Sequence, residues 1–136
     1  MLQKVIIPFF LLITFISCSE KKERPTNALD TGRAFIRASL NGDFEEAEPF
    51  ILKDSLNVGL FNSFKLYYKK LPQEKKQHYK DASYNINKYI DLNDSVTIIN
   101  YSNDYMNKPM DIKVLKTNNQ WWIDFKYTYS GNLPID

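Results

Sequence analysis

The spacing of apolar residues changes twice along this chain. Residues 5–16 (VIIPFFLLITFI) are an uninterrupted run that follows Lys4. From Ala28 to about Leu71, apolar residues recur three and four apart, the period of a helix with one buried face. From Asp81 onward they alternate, and Asn or Asp pairs mark the reversals, as in antiparallel strands.

In the helical half, the pattern predicts a first helix from Ala28 to Leu40, with Asn27 or Asp30 as its cap and Asn41-Gly42 as a left-handed stop. Leu29, Ile36 and Leu40 form its apolar stripe, widened by Phe35 and Ala38, while Arg33 and Arg37 fall on the wet side. A short second helix starts at Asp43, whose carboxylate can accept from the free amides there, with Glu46 three residues on. Pro49 ends it. A third helix runs from Asp54 or Ser55 to Leu71 with Leu60, Phe64, Tyr67 and Leu71 along one face, and Pro72 ends it or opens a fourth helix through Tyr79.

In the alternating half, strands are expected at Ala82 to Leu92, Ser95 to Tyr101, Met110 to Lys116 and Trp121 to Tyr129. Three successive hairpins make an antiparallel meander. Met110, Ile112 and Val114 oppose Asp111 and Lys113. Trp121, Ile123, Phe125, Tyr127 and Tyr129 oppose Trp122, Asp124, Lys126 and Thr128. Trp121 is therefore expected in the core and Trp122 on the outer face. One apolar and one mixed face are what helices packed on one side of a sheet require. The fold class is α+β, with N-terminal helices packed on a curved four-stranded antiparallel sheet.

The run at residues 5–16 is too short for the ~20 residues that cross a hydrocarbon core. With a basic start before it and Ser17-Cys18 after it, it reads as an export signal. Phe15-Ile16-Ser17-Cys18 resembles a bacterial lipobox, with Phe15 where Leu or Val is commoner. The resemblance implies that residues 1–17 are a lipoprotein signal peptide and that Cys18 is the lipid attachment point, carrying acyl chains of the palmitate type. It also implies an exported protein anchored to the cell envelope, at the periplasmic face of the outer membrane, since Ser19 rather than Asp follows the cysteine. Ser19 to Asn27 (SEKKERPTN) reads as a flexible tether holding a single domain, residues 28–136, within roughly 20 Å of the bilayer.

Charge narrows the partners. Lys4 is the one charged residue of the leader, so the remaining 119 residues carry seventeen Lys and Arg against sixteen Asp and Glu. That even mixture does not attract a polyanion, and no nucleic-acid partner is expected. Cys18 is the only cysteine. A disulfide framework is excluded, and stability has to come from packing of the nine Phe, nine Tyr and two Trp.

Ala34-Phe35-Ile36-Arg37-Ala38-Ser39-Leu40-Asn41-Gly42-Asp43-Phe44-Glu45-Glu46-Ala47 looks like the opening of small exported domains of unknown function in the nuclear-transport-factor-2-like, or cystatin-like, superfamily. Lys116-Thr117-Asn118-Asn119-Gln120-Trp121-Trp122-Ile123-Asp124 is similar to their closing hairpin, with Asn119-Gln120 where Gly-Lys normally stands. The resemblance implies a cone-like sheet wrapped around a long helix, with a cavity between them. That fold hosts isomerases, dehydratases, carriers and scaffolds, so it transfers no function by itself.

Reactive side chains are few. The sole histidine, His78, lies in a polar run (QEKKQHYK) and reads as solvated helix surface. With no other His and no free Cys, neither a nucleophilic triad nor a His/Cys zinc site can be assembled, and no cofactor or metal is expected. Asp111 and Asp124 fall on the face opposite the apolar side chains, which leaves Asp91, near a strand end, as the one nominee for a general base. Tyrosines concentrate in the third helix and the sheet. Tyr67, Tyr101 and Tyr127, together with Trp122 on the outer face, are the candidate contacts for a small amphipathic ligand or an envelope protein. The expected role is non-catalytic binding at the membrane, and the alternative is an isomerase or hydro-lyase using the cone cavity.

Overall fold

A computed structural model describes residues 22–132, with side chains through Thr128. The lipobox at Cys18 and the ring of Tyr129 lie outside the described residues. The chain forms helices α1 (Ala28–Asn41) and α2 (Phe44–Ala47), a 3-10 turn (Glu48–Phe50), α3 (Ser55–Lys70) and α4 (Gln73–Asp81). Strands β1 (Tyr84–Asn93), β2 (Val96–Asn103), β3 (Met110–Thr117) and β4 (Gln120–Ile123) follow, and then α5 (Phe125–Asn132). The fold is α+β, with the four strands in an open antiparallel sheet ordered β1-β2-β3-β4.

Local chemistry sets the helix ends as the sequence predicts. Asn27, Asp43 and Asp54 each accept a backbone amide from the first turn of α1, α2 and α3, satisfying donors that have no partner inside the helix. Gly42 closes α1 with φ +70°, and its own amide returns to Ser39 O.

Helix α1 lies on the face of the sheet that carries Thr97, Ile99, Ile112, Val114 and Ile123, all but sealed from solvent. It comes so close that a Cβ at Gly32 would collide with Ile99 Cδ1. At the other end of the core Phe35, Phe61, Phe64 and Phe125 pack ring against ring, with centroids 5.2 to 6.4 Å apart, the edge-on and tilted arrangements that ring quadrupoles favour.

The last strand departs from expectation. It ends at Ile123 rather than at Tyr129, and the alternating aromatics beyond it belong to α5. Two tertiary contacts decide this. Phe125 is drawn into the aromatic cluster against α1 and α3, and the amide of Lys126 donates to the side chain of Asn57 on α3. Asp124, expected on the wet face, is instead 3 % exposed at the β4–α5 junction, with Lys113 Nζ and Lys126 Nζ 3.7 and 3.8 Å from its oxygens. Asp111 does face away from the helices, where Asn100 Nδ2 donates to it at 2.6 Å.

Neither indole is fully buried. Trp121 is on the helix side, as parity requires, but it sits at the end of the sheet where α1 begins, so cover is incomplete. Trp122 is on the outer side, under the Arg24 guanidinium at 4.3 Å. The buried face of α3 is set by Asn57 and Phe61, with Phe64 packed beside them, and Tyr67 is 43 % exposed. Arg37 is no free surface cation either, because it donates to Ala82 O and lies 5.5 Å from the Tyr84 ring.

Residues 22–27, expected to be part of a flexible tether, are fastened to the domain. Arg24 donates to Pro49 O at 2.8 Å and to Trp121 O at 2.7 Å. Trp121 Nε1 donates to Thr26 O, and Lys22 pairs with Glu46 at 2.7 Å. Removal from water pushes the Arg24 guanidinium below its ordinary value, and the backbone carbonyls plus two ring faces replace the lost hydration.

Candidate functional site

Both two-residue hairpin turns lie at one end of the sheet, and α1 begins above it. Asn93 and Val96 pair across Asp94-Ser95, with Ser95 N held by Asn93 Oδ1 at 2.9 Å. Thr117 and Gln120 pair across Asn118 and Asn119, whose φ of 50° and 59° make a type I′ turn. Asn thus does here what Gly does in the commoner version of this hairpin.

Strand β1 contains an extra residue. Between Ile86, opposite Tyr101, and Lys88, opposite Asn100, Asn87 has no partner in the ladder. A bulge of this kind exchanges the faces of the residues that follow it, here as far as Asp91, where a second shift precedes Asn93. Tyr89 and Asp91 therefore stand opposite Ile99 and Thr97, on the side of the helices.

These features build a cleft of about 660 Å³ between the first turn of α1 and the end of the sheet. Asn27, Asp30 and Arg33 form the helical wall, Tyr89, Asp91 and Thr97 the strand wall, and Asn93, Asp94 and Trp121 the end. The walls are prearranged. Asn27 Nδ2 donates to Asp30 Oδ2 at 2.7 Å, Arg33 Nη1 lies 3.4 Å from Asp30 Oδ1, and the Thr97 hydroxyl donates to Asp91 Oδ1. Lys116 Nζ stands 5.7 Å from the centroid of the Trp121 ring.

No family model, curated protein or solved structure matches the chain.

Of the residues nominated from the sequence as ligand contacts or general base, Asp91 alone lines this cleft. Tyr67 is on the outer side of α3. The Tyr101 hydroxyl reaches Met110 Sδ at 3.9 Å, with the ring edge-on to Tyr84, and burial pushes its ionisation well above the ordinary tyrosine value. Trp122 borders a separate groove of about 290 Å³ with Leu52, Lys53, Asp54, Thr117 and Asn118. Tyr127 is on α5, 38 % exposed, with Lys113 Nζ 5.7 Å from its ring. The four do not converge. His78 stacks on Tyr105, its Nε2 3.7 Å from Glu74.

Asn27, Asp30 and Arg33 were legible only as a cap and a helix surface. Tyr89 was hidden by the bulge, since uninterrupted alternation from Tyr84 and Ile86 would have turned it outward. Among the described residues, no group of three or more His, Cys, Asp or Glu side chains is placed to hold a metal ion. Among the same residues, no helix is long and apolar enough to cross a membrane.

Proposed function

We propose that the protein is a lipid-anchored envelope protein, attached through Cys18, that binds a small ligand without transforming it. The observation that carries the binding reading is the cleft between α1 and the end of the sheet. Its volume lies in the range of small-molecule sites, and its two rings stand among a few oriented polar groups. A helix laid across a sheet with an opening at one end agrees with the cone-like arrangement of the nuclear-transport-factor-2-like superfamily, and we read the fold in that way. The anchor reading rests on the leader and the lone cysteine. Only Ser19, Glu20 and Lys21 separate Cys18 from the fastened Lys22, so the lipid would hold the domain within ~14 Å of the bilayer surface. That reach is shorter than the one a free nine-residue tether would give.

An isomerase or hydro-lyase is the second reading, favoured by the position of Asp91 inside the cleft. A general base in such an enzyme needs a tuned carboxylate in a dry pocket. Asp91 is exposed and already accepts the Thr97 hydroxyl, which supports binding over catalysis.

Detergent phase partition of the full chain and of Cys18→Ala tests the anchor: the parent is expected in the detergent phase and the variant in the aqueous phase or unprocessed. Thermal-shift screening of the full chain in detergent against small molecules, glycans and short peptides tests the cleft. Stabilisation that disappears in Asp94→Ala is expected, and the same hits in both proteins would overturn the assignment. Turnover of an enolisable ketone that vanishes in Asp91→Asn would instead establish the enzyme.

A further inference from the structure

We infer that the ligand of this cleft is a neutral, polyhydroxylated molecule of the carbohydrate class. The inference rests on the reading of the cleft as a ligand site and adds its chemistry.

Charge eliminates most alternatives. Asp30, Asp91 and Asp94 stand against one cation, Arg33, so an anion such as a phosphate or carboxylate meets repulsion from three directions. A cationic ligand is attracted by this excess of carboxylates but uses only part of the lining. Asp30 is already shared by Arg33 and the Asn27 amide, and Asp91 holds the Thr97 hydroxyl. Lys116 already holds a cation–π position on the Trp121 ring. An apolar ligand would strip water from these carboxylates and from Arg33 without replacing it.

The ligand that uses the whole lining both donates and accepts at many points and presents C–H surface to a ring. Sugar hydroxyls donate to carboxylates and accept from a guanidinium or an amide, and such charge-assisted bonds are the stronger kind. The ring of Tyr89 is available for stacking, with Trp121 bordering the same cleft. Tyr89 is 52 % exposed although it stands on the helix side of the sheet, a ring left uncovered inside a cleft rather than packed.

The full chain in detergent micelles should be applied to an array of hexose, N-acetylhexosamine and hexuronate oligosaccharides. Spermidine and choline beads serve as the cationic comparison. Retention of at least one neutral glycan, and of no hexuronate, is expected, unchanged as salt rises from about 0.05 to about 0.5 M, where exposed ionic contacts are screened. In a Trp122→Phe background, the remaining indole, Trp121, should change its emission on titration with that glycan. Tyr89→Ala, at an exposed position that does not threaten folding, should weaken retention about tenfold. Glycan binding that survives Tyr89→Ala undiminished would overturn the location. Retention on the amine beads alone, released by salt, would overturn the carbohydrate class while leaving the cleft a ligand site. No retention on either support would overturn the carbohydrate class, and the small-molecule and peptide screen then judges the cleft separately.

Discussion

The carboxamide oxygen of Asn57 accepts the backbone amide of Lys126 at 2.8 Å, across 69 positions of sequence. Asn57 is fully buried on α3, and its own Nδ2 donates to Asp54 Oδ2 at 2.7 Å. One side chain thus joins the cap of α3 to the start of α5 and satisfies an amide that the first turn of α5 cannot satisfy itself.

Removing that fully buried side chain leaves a part-buried amide unpaired, so Asn57→Ala should destabilise the domain by about 1 to 3 kcal/mol. Urea unfolding checks the magnitude. Hydrogen exchange checks the mechanism, with amides at the start of α5 losing protection before those of the sheet.

Arg24→Lys should release residues 22–27, since a single ammonium cannot reproduce a fork that reaches two carbonyls and lies against two rings. Limited proteolysis is expected to open that segment in the variant and to spare it in the parent. Equal cleavage of both would show that Arg24 does not fasten it.

Gly42→Ala puts a β-carbon at φ +70° and 2.5 Å from the Tyr68 hydroxyl. A loss of about 1 to 2 kcal/mol is expected from the left-handed backbone alone. Adding Tyr68→Phe should recover part of any excess, because it removes the oxygen that the new methyl meets. Denaturant midpoints of the three variants give the comparison.

Acid should weaken the fold through Asp54 and Glu48. Hydrogen bonds from Asn57 hold Asp54 below its ordinary value of 3.8, and the Lys65 hydrogen bond holds Glu48 below 4.5. A carboxyl group that is more acidic in the folded state contributes stability that is fully present above its unfolded value and is lost as pH falls through the folded one. Melting temperature should therefore decline below about pH 4.5. Asp54→Asn keeps a capping oxygen without the charge, so its acid limb should be shallower than the parent's.

The three caps, the glycine stop, the helix order and three of the four strands are legible in the sequence because each depends on residues within a few positions. Asn27, Asp43 and Asp54 accept from their own first turns, and alternation along Met110 to Val114 needs only the next strand to express it. The end of β4, the burial of Asp124, the fastening by Arg24 and the cleft depend on groups far apart in the chain. Aromatic alternation from Trp121 to Tyr129 suits a strand until Phe125 meets Phe35 and Phe61, and Asn57 supplies a cap for the helix that follows. One unpaired residue, Asn87, turns Tyr89 and Asp91 toward α1, and no local preference announces it. Period and capping are short-range properties that a sequence carries on its face, whereas the register of a strand and the partners of a buried charge are fixed only when distant segments compete for the same core.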